Sequence, residues 1–303
     1  MRADLHTHST ASDGTTAPAD LPAAAAATGL DLFALTDHDG YGGIAAAHLA
    51  ARDSGVLLLP GAELSCKSPA GVRLHLLAYG CDPLDPWLAE HVEAVRDDRI
   101  PRAQRIVAAM QADGLAITWD EVVDTAGPNA SIGRPHLAAV LVANGAAADI
   151  PDAFNRFLAD DAPYYSGHLT LESTQAVAAV RAAGGVPVLA HARAKRGPQL
   201  SEDEISGMAD AGLAGLEVDH PDHDEVDRSA LRALAERLGL LTTGSSDFHG
   251  GHKEGLPLGA NTTDPVQLEA LLSQITGAPI LGAGAEANAA DQYRDRRVPG
   301  VGA

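Results

Sequence analysis

The sequence predicts an α/β fold in which parallel strands form a closed or nearly closed barrel, interrupted by a helical insertion. Short apolar segments alternate with alanine-rich helical segments along most of the 303 residues, which is typical of a parallel sheet covered by helices. The number of such units favours a barrel over an open sheet. The region 86–165 differs, because it has helical periodicity and almost no strand pattern. The chain is long enough for a large domain with a small insertion.

The elements before and inside the insertion follow from local patterns. Strands are predicted at Leu32–Leu35, Val56–Pro60 and Val72–Tyr79, and a helix at Gly43–Arg52 with Gly55 as its cap. Inside the insertion, a helix is predicted at Arg134–Asn144, with Pro135 in its first turn. A longer helix is predicted at His91–Gln111, and Pro101 is expected to break or kink it near Ile100.

After the insertion the alternation resumes. Helices are predicted at Leu171–Ala183, Ser201–Ala211 and Asp224–Leu238, and strands at Val186–Ala190, Leu213–Val218 and Leu240–Thr243. The chain therefore divides into a barrel domain (1–85 and 166–281) and a helical insertion domain (86–165). The tail, 282–303, is small, polar and aperiodic, and is expected to be disordered.

Charge and composition exclude some partners. The chain has 41 acidic and 21 basic residues, a formal net charge of -20, which repels a polyanion, so duplex nucleic acid is not expected to bind. A small phosphorylated substrate is compatible with this charge if metal ions and a few arginines form a local positive pocket. No segment has the apolar length of a membrane span or a signal peptide. Cys66 and Cys81 are interpreted as reduced thiols of a cytoplasmic protein.

Histidine and carboxylate residues cluster around the predicted strand ends. Asp4, His6 and His8 alternate in an extended segment, so their side chains are expected on one side of it. Further candidates follow or lie within later strands: Asp13, His38, Glu63, His75, His191, Asp247 and His249. Because the carboxyl ends of parallel strands share one face, these residues are expected to converge at the mouth of the barrel.

The residue types in this cluster predict a multi-metal centre. Histidine with carboxylate, and without cysteine, is the ligand set of zinc, manganese or iron sites. A single histidine is more often a surface residue, but an HxH pair, a TDHD segment and a DxH pair rarely coincide at strand ends. Two or three ions are expected, bridged by a carboxylate such as Glu63. The nucleophile is expected to be a water activated by metal ions, so Ser9, Ser65 and Ser246 are interpreted as supports of neighbouring ligands.

Six segments resemble the successive motifs of the PHP (polymerase and histidinol phosphatase) superfamily: DLHTHSTASDGT, ALTDHD, GAELSC, HLLAYG, LAHARAK and GSSDFHG. The resemblance implies a distorted (β/α)7 barrel with a trinuclear metal site, for which manganese is the first choice and zinc or iron are alternatives. It implies catalytic roles for Asp13, His191 and His249. The metal ligands that it implies are His6, His8, Asp13, His38, Glu63, His75, His191, Asp247 and His249.

The insertion resembles one subgroup of that superfamily. The segments DDRIPRAQRI and SIGRPHLA look like those of stand-alone phosphoesterases that hydrolyse nucleoside 3′,5′-bisphosphates and trim short RNA from the 5′ end. This resemblance implies that the helical insertion closes over the site and that four basic residues hold phosphate: Arg99, Arg102, Arg134 and His136. The alternative for Arg99 and Arg102 is a solvated position on an exposed helix.

Two departures from the subgroup affect the substrate prediction. The segment 159–165 (ADDAPYY) is acidic where relatives often have a basic stretch, and Asp219 stands where relatives often have an aromatic residue. His220 and His223 are expected to have a substrate-side or a surface role rather than to bind metal, and His220 is the residue expected to contact substrate. The candidates for the leaving-group acid are His220 and a metal-bound water.

The expected activity is hydrolysis of the 3′-phosphate of nucleoside 3′,5′-bisphosphates or of short, single-stranded, 5′-phosphorylated oligonucleotides. The alternatives are a phosphomonoesterase for a nucleoside monophosphate or histidinol phosphate, and a non-catalytic metal-binding module. The complete set of ligands argues against the non-catalytic module.

Overall fold

The strands form a single barrel-like sheet. The computed structural model describes residues 1–127, 132–159, 162–167, 169–194, 199–253, 255–283 and 291–293. Its strands are β1 (Ala3–Thr7), β2 (Leu32–Leu35), β3 (Leu57–Lys67), β4 (Arg73–Tyr79), β5 (Leu171–Glu172), β6 (Val186–Leu189), β7 (Gly215–Asp219) and β8 (Leu241–Gly244). The order is β1-β2-β3-β4-β6-β7-β8, with β5 paired only to β3. A bridge between Thr7 and Phe248 joins the two edges, so the predicted, nearly closed seven-stranded barrel is confirmed.

One strand departs from the expected parallel arrangement. The β1-β2-β3 and β6-β7-β8 neighbours are parallel, whereas β4 is antiparallel to both β3 and β6. The reason is that β3 runs seven residues further than the predicted end at Pro60 and turns back directly into β4. Such a hairpin needs only a short turn, whereas a parallel neighbour needs a long crossover. Glu63 consequently lies inside β3 rather than at its end.

Ten α-helices lie among the described residues. They are α1 (Leu21–Ala27), α2 (Ile44–Ser54), α3 (Pro86–Ala112), α4 (Trp119–Ala126), α5 (Arg134–Ala143), α6 (Ile150–Ala153), α7 (Ser173–Ala182), α8 (Glu202–Asp210), α9 (Glu225–Leu238) and α10 (Pro265–Leu272). A π-helical turn follows α6 at Phe154–Leu158, and 3-10 turns occupy Gly250–Lys253 and Asp291–Tyr293. Among these helices, none combines the length and apolar character needed to cross a bilayer.

Helix α3 is longer than predicted and contains Pro101 without interruption, so the predicted break does not occur. Its start is fixed by Asp85, whose side chain accepts the N–H of Leu88 at 2.9 Å, with Pro86 in the first turn. The first half of α3 packs in an apolar cluster outside the barrel, and the second half packs in a cluster of the insertion. Packing at both ends offsets the roughly 3 kcal/mol that an internal proline costs a helix.

The inner face of the barrel is apolar at one end and polar at the other. The β3–β4 pairing sets Gly61 opposite Tyr79, Glu63 opposite Leu77, and Ser65 opposite His75. Tyr79 and Leu77 belong to an apolar cluster that also includes residues of α10. Paired residues in an antiparallel ladder share a face, so Glu63 and His75 occupy the polar end of the interior.

A β-bulge in β1 changes the expected alternation of the N-terminal residues. The pairing of β1 with β2 shifts register between Asp4 and Thr7. Leu5 packs in the apolar interior, and the next residue, His6, also reaches the inside, where it contacts Glu63. Asp4 accepts hydrogen bonds from Ser246 and, at 3.4 Å, from the His6 backbone N–H, and it belongs to none of the three groups of candidate metal donors.

The insertion has an apolar cluster of its own, whose buried members all lie between Ala103 and Leu158. This cluster supports the division into barrel and insertion, and the boundaries at 86 and 165 stay a prediction. Most of the predicted disordered tail lies outside the described residues. Within its described part, Asp291–Tyr293 forms a turn and the Tyr293 side chain is buried beside Tyr41, with the two ring centroids 5.6 Å apart.

Candidate metal centre

The barrel brings all nine predicted ligands together. They come from seven places in the chain: His6 on β1, His8 and Asp13 after it, His38 after β2, Glu63 on β3, His75 on β4, His191 after β6, and Asp247 and His249 after β8. Three groups have donor atoms within 4.8 Å of one another: His8, Asp13, His38 and His249; His6, His8 and Asp247; and His38, Glu63 and His75. Because His8 and His38 each belong to two groups, the donors form one continuous cluster.

Glu63 lies at the centre of this cluster. Its Oε2 lies 3.3 Å from His6 Nε2, 3.1 Å from His8 Nε2 and 3.1 Å from His38 Nδ1. Its Oε1 lies 2.7 Å from His75 Nδ1 and 3.0 Å from His191 Nε2. Each carboxylate oxygen thus faces a different set of imidazoles, which is the geometry of a carboxylate able to bridge two ions.

Three of the imidazoles use one ring nitrogen for a contact outside the cluster of donors, so the other nitrogen of each ring faces the cluster. His6 Nδ1 donates to Glu217 at 3.1 Å, and His249 Nδ1 donates to the Asp247 carbonyl at 2.9 Å. His8 Nδ1 lies 3.3 Å from Ser12 Oγ, whose own proton is committed to Asp37 at 2.6 Å. A neutral imidazole that donates through Nδ1 has an unprotonated Nε2, as metal coordination requires.

This donor set fits divalent cations. The Nε2 atoms of His6 and His8 lie 3.1 Å apart and both face the Glu63 carboxylate, so when both rings are neutral, lone pairs and negative charge converge without a donor between them. Within the described part of the chain, the buried His38 Nδ1 makes no hydrogen bond of good geometry, although Glu63 Oε2 lies 3.1 Å from it. Positive charge placed among these atoms satisfies them, and imidazole and carboxylate donors suit manganese, zinc or iron.

The pKa shifts also show that the cluster stabilises positive charge. Burial opposes the charged form of His8, but the carboxylates of Asp247 and Glu63 outweigh it and raise its pKa to about 9. Burial likewise opposes ionisation of Glu63, but the neighbouring imidazoles of His75, His38 and His6 hold its pKa well below the usual range. The centre is therefore built for carboxylates that stay ionised next to positive charge.

Two buried carboxylates that support these donors, Glu217 and Asp37, are not among the site residues that the sequence predicts. Glu217 on β7 accepts from His6 Nδ1 and, at 2.7 Å, from the backbone N–H of His191. Asp37 accepts from Ser12 and from both the N–H and the hydroxyl of Ser9, at 2.8 and 2.7 Å. Ser9 therefore supports the cluster through a neighbouring carboxylate. Glu217 lies in an apolar strand pattern, and only the fold shows what its carboxylate faces.

Asp247 uses its two oxygens for different purposes. Oδ1 lies 3.4 Å from His6 Nε2, whereas Oδ2 is contacted by His220 Nε2 at 3.2 Å and by the Lys253 ammonium. His220 Nδ1 accepts the backbone N–H of Asp222 at 3.0 Å, so the proton of a neutral ring lies on Nε2 and is donated to Asp247. His220 is fully buried, so the alternative of a surface role is wrong, and its contact with substrate stays a prediction.

Backbone strain is concentrated at the cluster. Asp39, His191 and Asp247 are the described non-glycine residues with left-handed backbones, with φ of 48°, 27° and 49°. This conformation is uncommon for residues with a Cβ atom and persists where surrounding contacts enforce it. The contacts of Asp247 with His220 and of His191 with Glu217 are of this kind.

The four predicted phosphate-binding residues lie at the junction between insertion and barrel. Arg99 and Arg102 are buried on α3 rather than solvated, so the alternative of an exposed position is wrong. Arg99 is bonded to Asp39, and Arg102 Nε donates to the Ser166 carbonyl at 2.6 Å. Arg134 Nη1 donates to the Leu158 carbonyl at 2.8 Å. The acidic pair 160–161 lies outside the described residues.

His136 completes this group. Its Nδ1 accepts the N–H of Gly133 at 3.0 Å, so the proton of the neutral ring lies on Nε2. Burial lowers the pKa of His136, and the Asp13 carboxylate acts in the opposite direction.

Comparisons with known proteins agree with this geometry. The PHP domain model matches residues 4–121. A 3′,5′-nucleoside bisphosphate phosphatase from Chromobacterium violaceum is 36% identical over 263 residues, which cover 84% of this chain and 92% of the relative. A 5′-3′ exoribonuclease from Haemophilus influenzae is 29% identical, covering 81% of this chain and 89% of the relative. The crystal structure of a metal-dependent phosphoesterase from Bifidobacterium adolescentis matches with a TM-score of 0.86 at 35% identity, covering 90% of this chain and 96% of that one.

Together, the barrel, its donor cluster and these likenesses define the class of the metal-dependent phosphoesterases. The chain belongs to the PHP family, whose model covers β1 to β4 and the helix that leads into the insertion.

Proposed function

We propose that this phosphoesterase removes the 3′-phosphate of nucleoside 3′,5′-bisphosphates, using two or three manganese ions held by the nine clustered ligands. The observation that carries the proposal is the position of the basic group next to the donor cluster. Arg99 Nε donates to Asp39, the neighbour of His38, at 2.9 Å, and the Asp13 carboxylate is the first of the charges that oppose the lowering of the pKa of His136. A substrate with two phosphates matches a site with two adjoining regions of positive charge.

The donor cluster is proposed to take the phosphate that is cleaved. Bound ions supply Lewis-acid charge for the phosphoryl oxygens and activate the attacking water. Among the ligands, Asp13, His191 and His249 are proposed to act in catalysis. Asp13 lies between His249 and His38, with carboxylate-to-imidazole distances of 3.4 and 3.5 Å, so it is placed to fix the geometry of two histidine donors at once.

The second phosphate is proposed to bind the guanidinium groups. Arg102 is buried, and its Nη2 has no hydrogen-bond partner within the described residues. Burial, together with the charges of Arg134 and Arg99, lowers the pKa of Arg102 to about 9, so the group stays charged at neutral pH. A buried donor without an acceptor is costly, and a phosphate oxygen supplies a charge-assisted partner.

A substrate panel tests this proposal. The second phosphate should raise kcat/KM for 3′,5′-bisphosphoadenosine about 10–100-fold over 3′-AMP, because a hydrogen bond to a charged group contributes about 1.5–3 kcal/mol. Arg102→Met should bring this ratio close to one, whereas Arg105→Met, an exposed arginine on the same helix, should leave it unchanged. Equal turnover of 3′,5′-bisphosphoadenosine, 5′-AMP and histidinol phosphate would instead favour a general phosphomonoesterase.

The metal requirement is tested separately. Asp13→Ala and His249→Ala are expected to abolish hydrolysis while the circular dichroism spectrum stays native. Chelation should abolish activity, and manganese should restore it. Near-normal turnover in a folded sample without metal contradicts the proposal.

A further inference from the structure

Arg99 connects the insertion to the loop that carries His38. It lies on α3, with 8% of its surface exposed. Its Nε donates to Asp39 Oδ2 at 2.9 Å, and Nη2 contacts the same oxygen and also Ser65 Oγ, the latter at 3.3 Å. Two of the three guanidinium nitrogens are therefore occupied by the barrel.

Asp39 links Arg99 to two proposed ligands, His38 and Glu63. It directly follows His38, and its N–H donates to the Glu63 carbonyl at 3.0 Å. Its carboxylate accepts the N–H and the hydroxyl of Ser65, at 2.7 and 2.8 Å, two residues beyond Glu63. Asp39 thus joins the loop after β2 to the polar end of β3.

The backbone of Asp39 needs these contacts. Its φ of 48° is left-handed, and its side chain is almost fully buried. Without Arg99 the carboxylate keeps its serine partners but has no opposite charge beside it. A buried carboxylate without a cation is strongly destabilised, so the loop is expected to shift toward solvent and to move His38 with it.

We propose that Arg99 is a positioning residue for the metal centre: through Asp39 it holds His38 and Glu63 in register and couples the insertion helix to their donor group. The inference rests on the proposed metal ligands. It assigns Arg99 a role different from the phosphate binding that its sequence motif predicts.

The two roles of Arg99 have different consequences when its guanidinium is removed. If Arg99 binds phosphate, its removal raises KM and leaves manganese binding intact. If Arg99 positions His38 and Glu63, its removal weakens one manganese site, and partners of metal ligands typically contribute 10–100-fold in affinity. The metal readout also does not depend on which phosphate ester is cleaved.

The experiment measures manganese binding to the full chain by titration calorimetry and by manganese electron paramagnetic resonance. For Arg99→Met, the Kd of one manganese ion should rise about 10–100-fold, with an altered resonance spectrum. Arg105→Met, on the same helix with its side chain 53% exposed, should bind manganese like the wild type. The double variant Arg99→Met/Asp39→Asn should lose no more affinity than the worse single variant, because both changes break the same ion pair.

Wild-type manganese binding in folded Arg99→Met, with only KM raised, overturns the inference. If Arg99→Met does not fold, Asp39→Asn tests the inference in its place, because asparagine tolerates the left-handed backbone and keeps the shape of the side chain. Weakened binding of one ion in that variant supports the inference, and unchanged binding overturns it. Absence of manganese binding in the wild type would instead refute the proposed metal site itself.

Discussion

At the scale of single residues, the metal donors depend on buried carboxylates behind them. Glu217 is fully buried and accepts from His6 Nδ1, the His191 N–H and the Ser245 hydroxyl. These contacts set the tautomer of one proposed ligand and the backbone position of another. Burial opposes ionisation of Glu217, but the charge of His6 keeps its pKa far below the usual value.

Glu217→Gln should weaken manganese binding about 10–100-fold with little change in KM. The amide keeps the size of the side chain but lacks the charge and one acceptor oxygen, so one of three donors loses its partner. Titration calorimetry and steady-state kinetics measure the two effects. Glu225→Gln, an exposed position at the start of α9, serves as control. Unchanged manganese affinity in folded Glu217→Gln would show that this carboxylate does not orient the ligands.

At the scale of elements, the sequence predicts the bounds of those strands and helices that depend on neighbouring residues. The strand Leu32–Leu35 has its predicted bounds, and α9 begins one residue after its predicted start because Asp224 is the cap. Apolar segments and helix caps depend on neighbouring residues, so the elements that they define can be predicted without knowledge of the fold. Helix α7 begins at Ser173 rather than Leu171 because the two preceding residues pair with β3.

Features that depend on distant partners could not be predicted. The reversed direction of β4, the bulge of β1 and the burial of Arg99 all arise from segments far apart in the chain. The identity of the proposed ligands was accessible because histidine and aspartate recur in short motifs. Ser9, Ser65 and Ser246 could be interpreted as supports because they adjoin these motifs, whereas Glu217 could not, because a lone glutamate in an apolar strand carries no such pattern.

The segment after α10 packs against the loop after α7 through glycines. Gly184 has a φ of 74°, and a Cβ atom there would lie 2.4 Å from the Gly277 nitrogen. Gly184→Ala should cost about 1–3 kcal/mol more than Gly114→Ala, since overpacking adds to the cost of the left-handed backbone. Gly114 is the matched control, because it follows α3 with a φ of 83° and open space around it. Urea denaturation measures both, and equal losses of stability contradict this packing.

At the scale of the whole molecule, the two thiols lie on the outer side of the barrel sheet, covered by helices. Cys66 and Cys81 are free and buried. They pack in the same apolar cluster as the first half of α3. Burial raises the pKa of both thiols, that of Cys81 to about 12, so little thiolate exists at neutral pH.

Neither thiol should react with Ellman's reagent in the native protein, and both should react in guanidinium chloride. The thiolate is the reactive form, and access to it requires the covering helices to separate from the sheet. Absorbance at pH 8, followed with increasing denaturant, should report the same transition as circular dichroism. Rapid reaction of one thiol without denaturant would reveal a locally open segment and contradict this protection.

The closure of the barrel also fixes when the metal centre can exist. Its proposed ligands begin at His6 and end at His249, and the last of them follow β8, which lies beside β1 only in the closed sheet. A growing chain therefore presents His6 and His8 long before Asp247 and His249 have been synthesised. An incomplete set of imidazoles favours whichever ion binds nitrogen most tightly, because affinity follows the Irving–Williams order when geometry is not imposed. The full set of donors, and with it the geometry that can discriminate between ions, is therefore complete only once the barrel has closed.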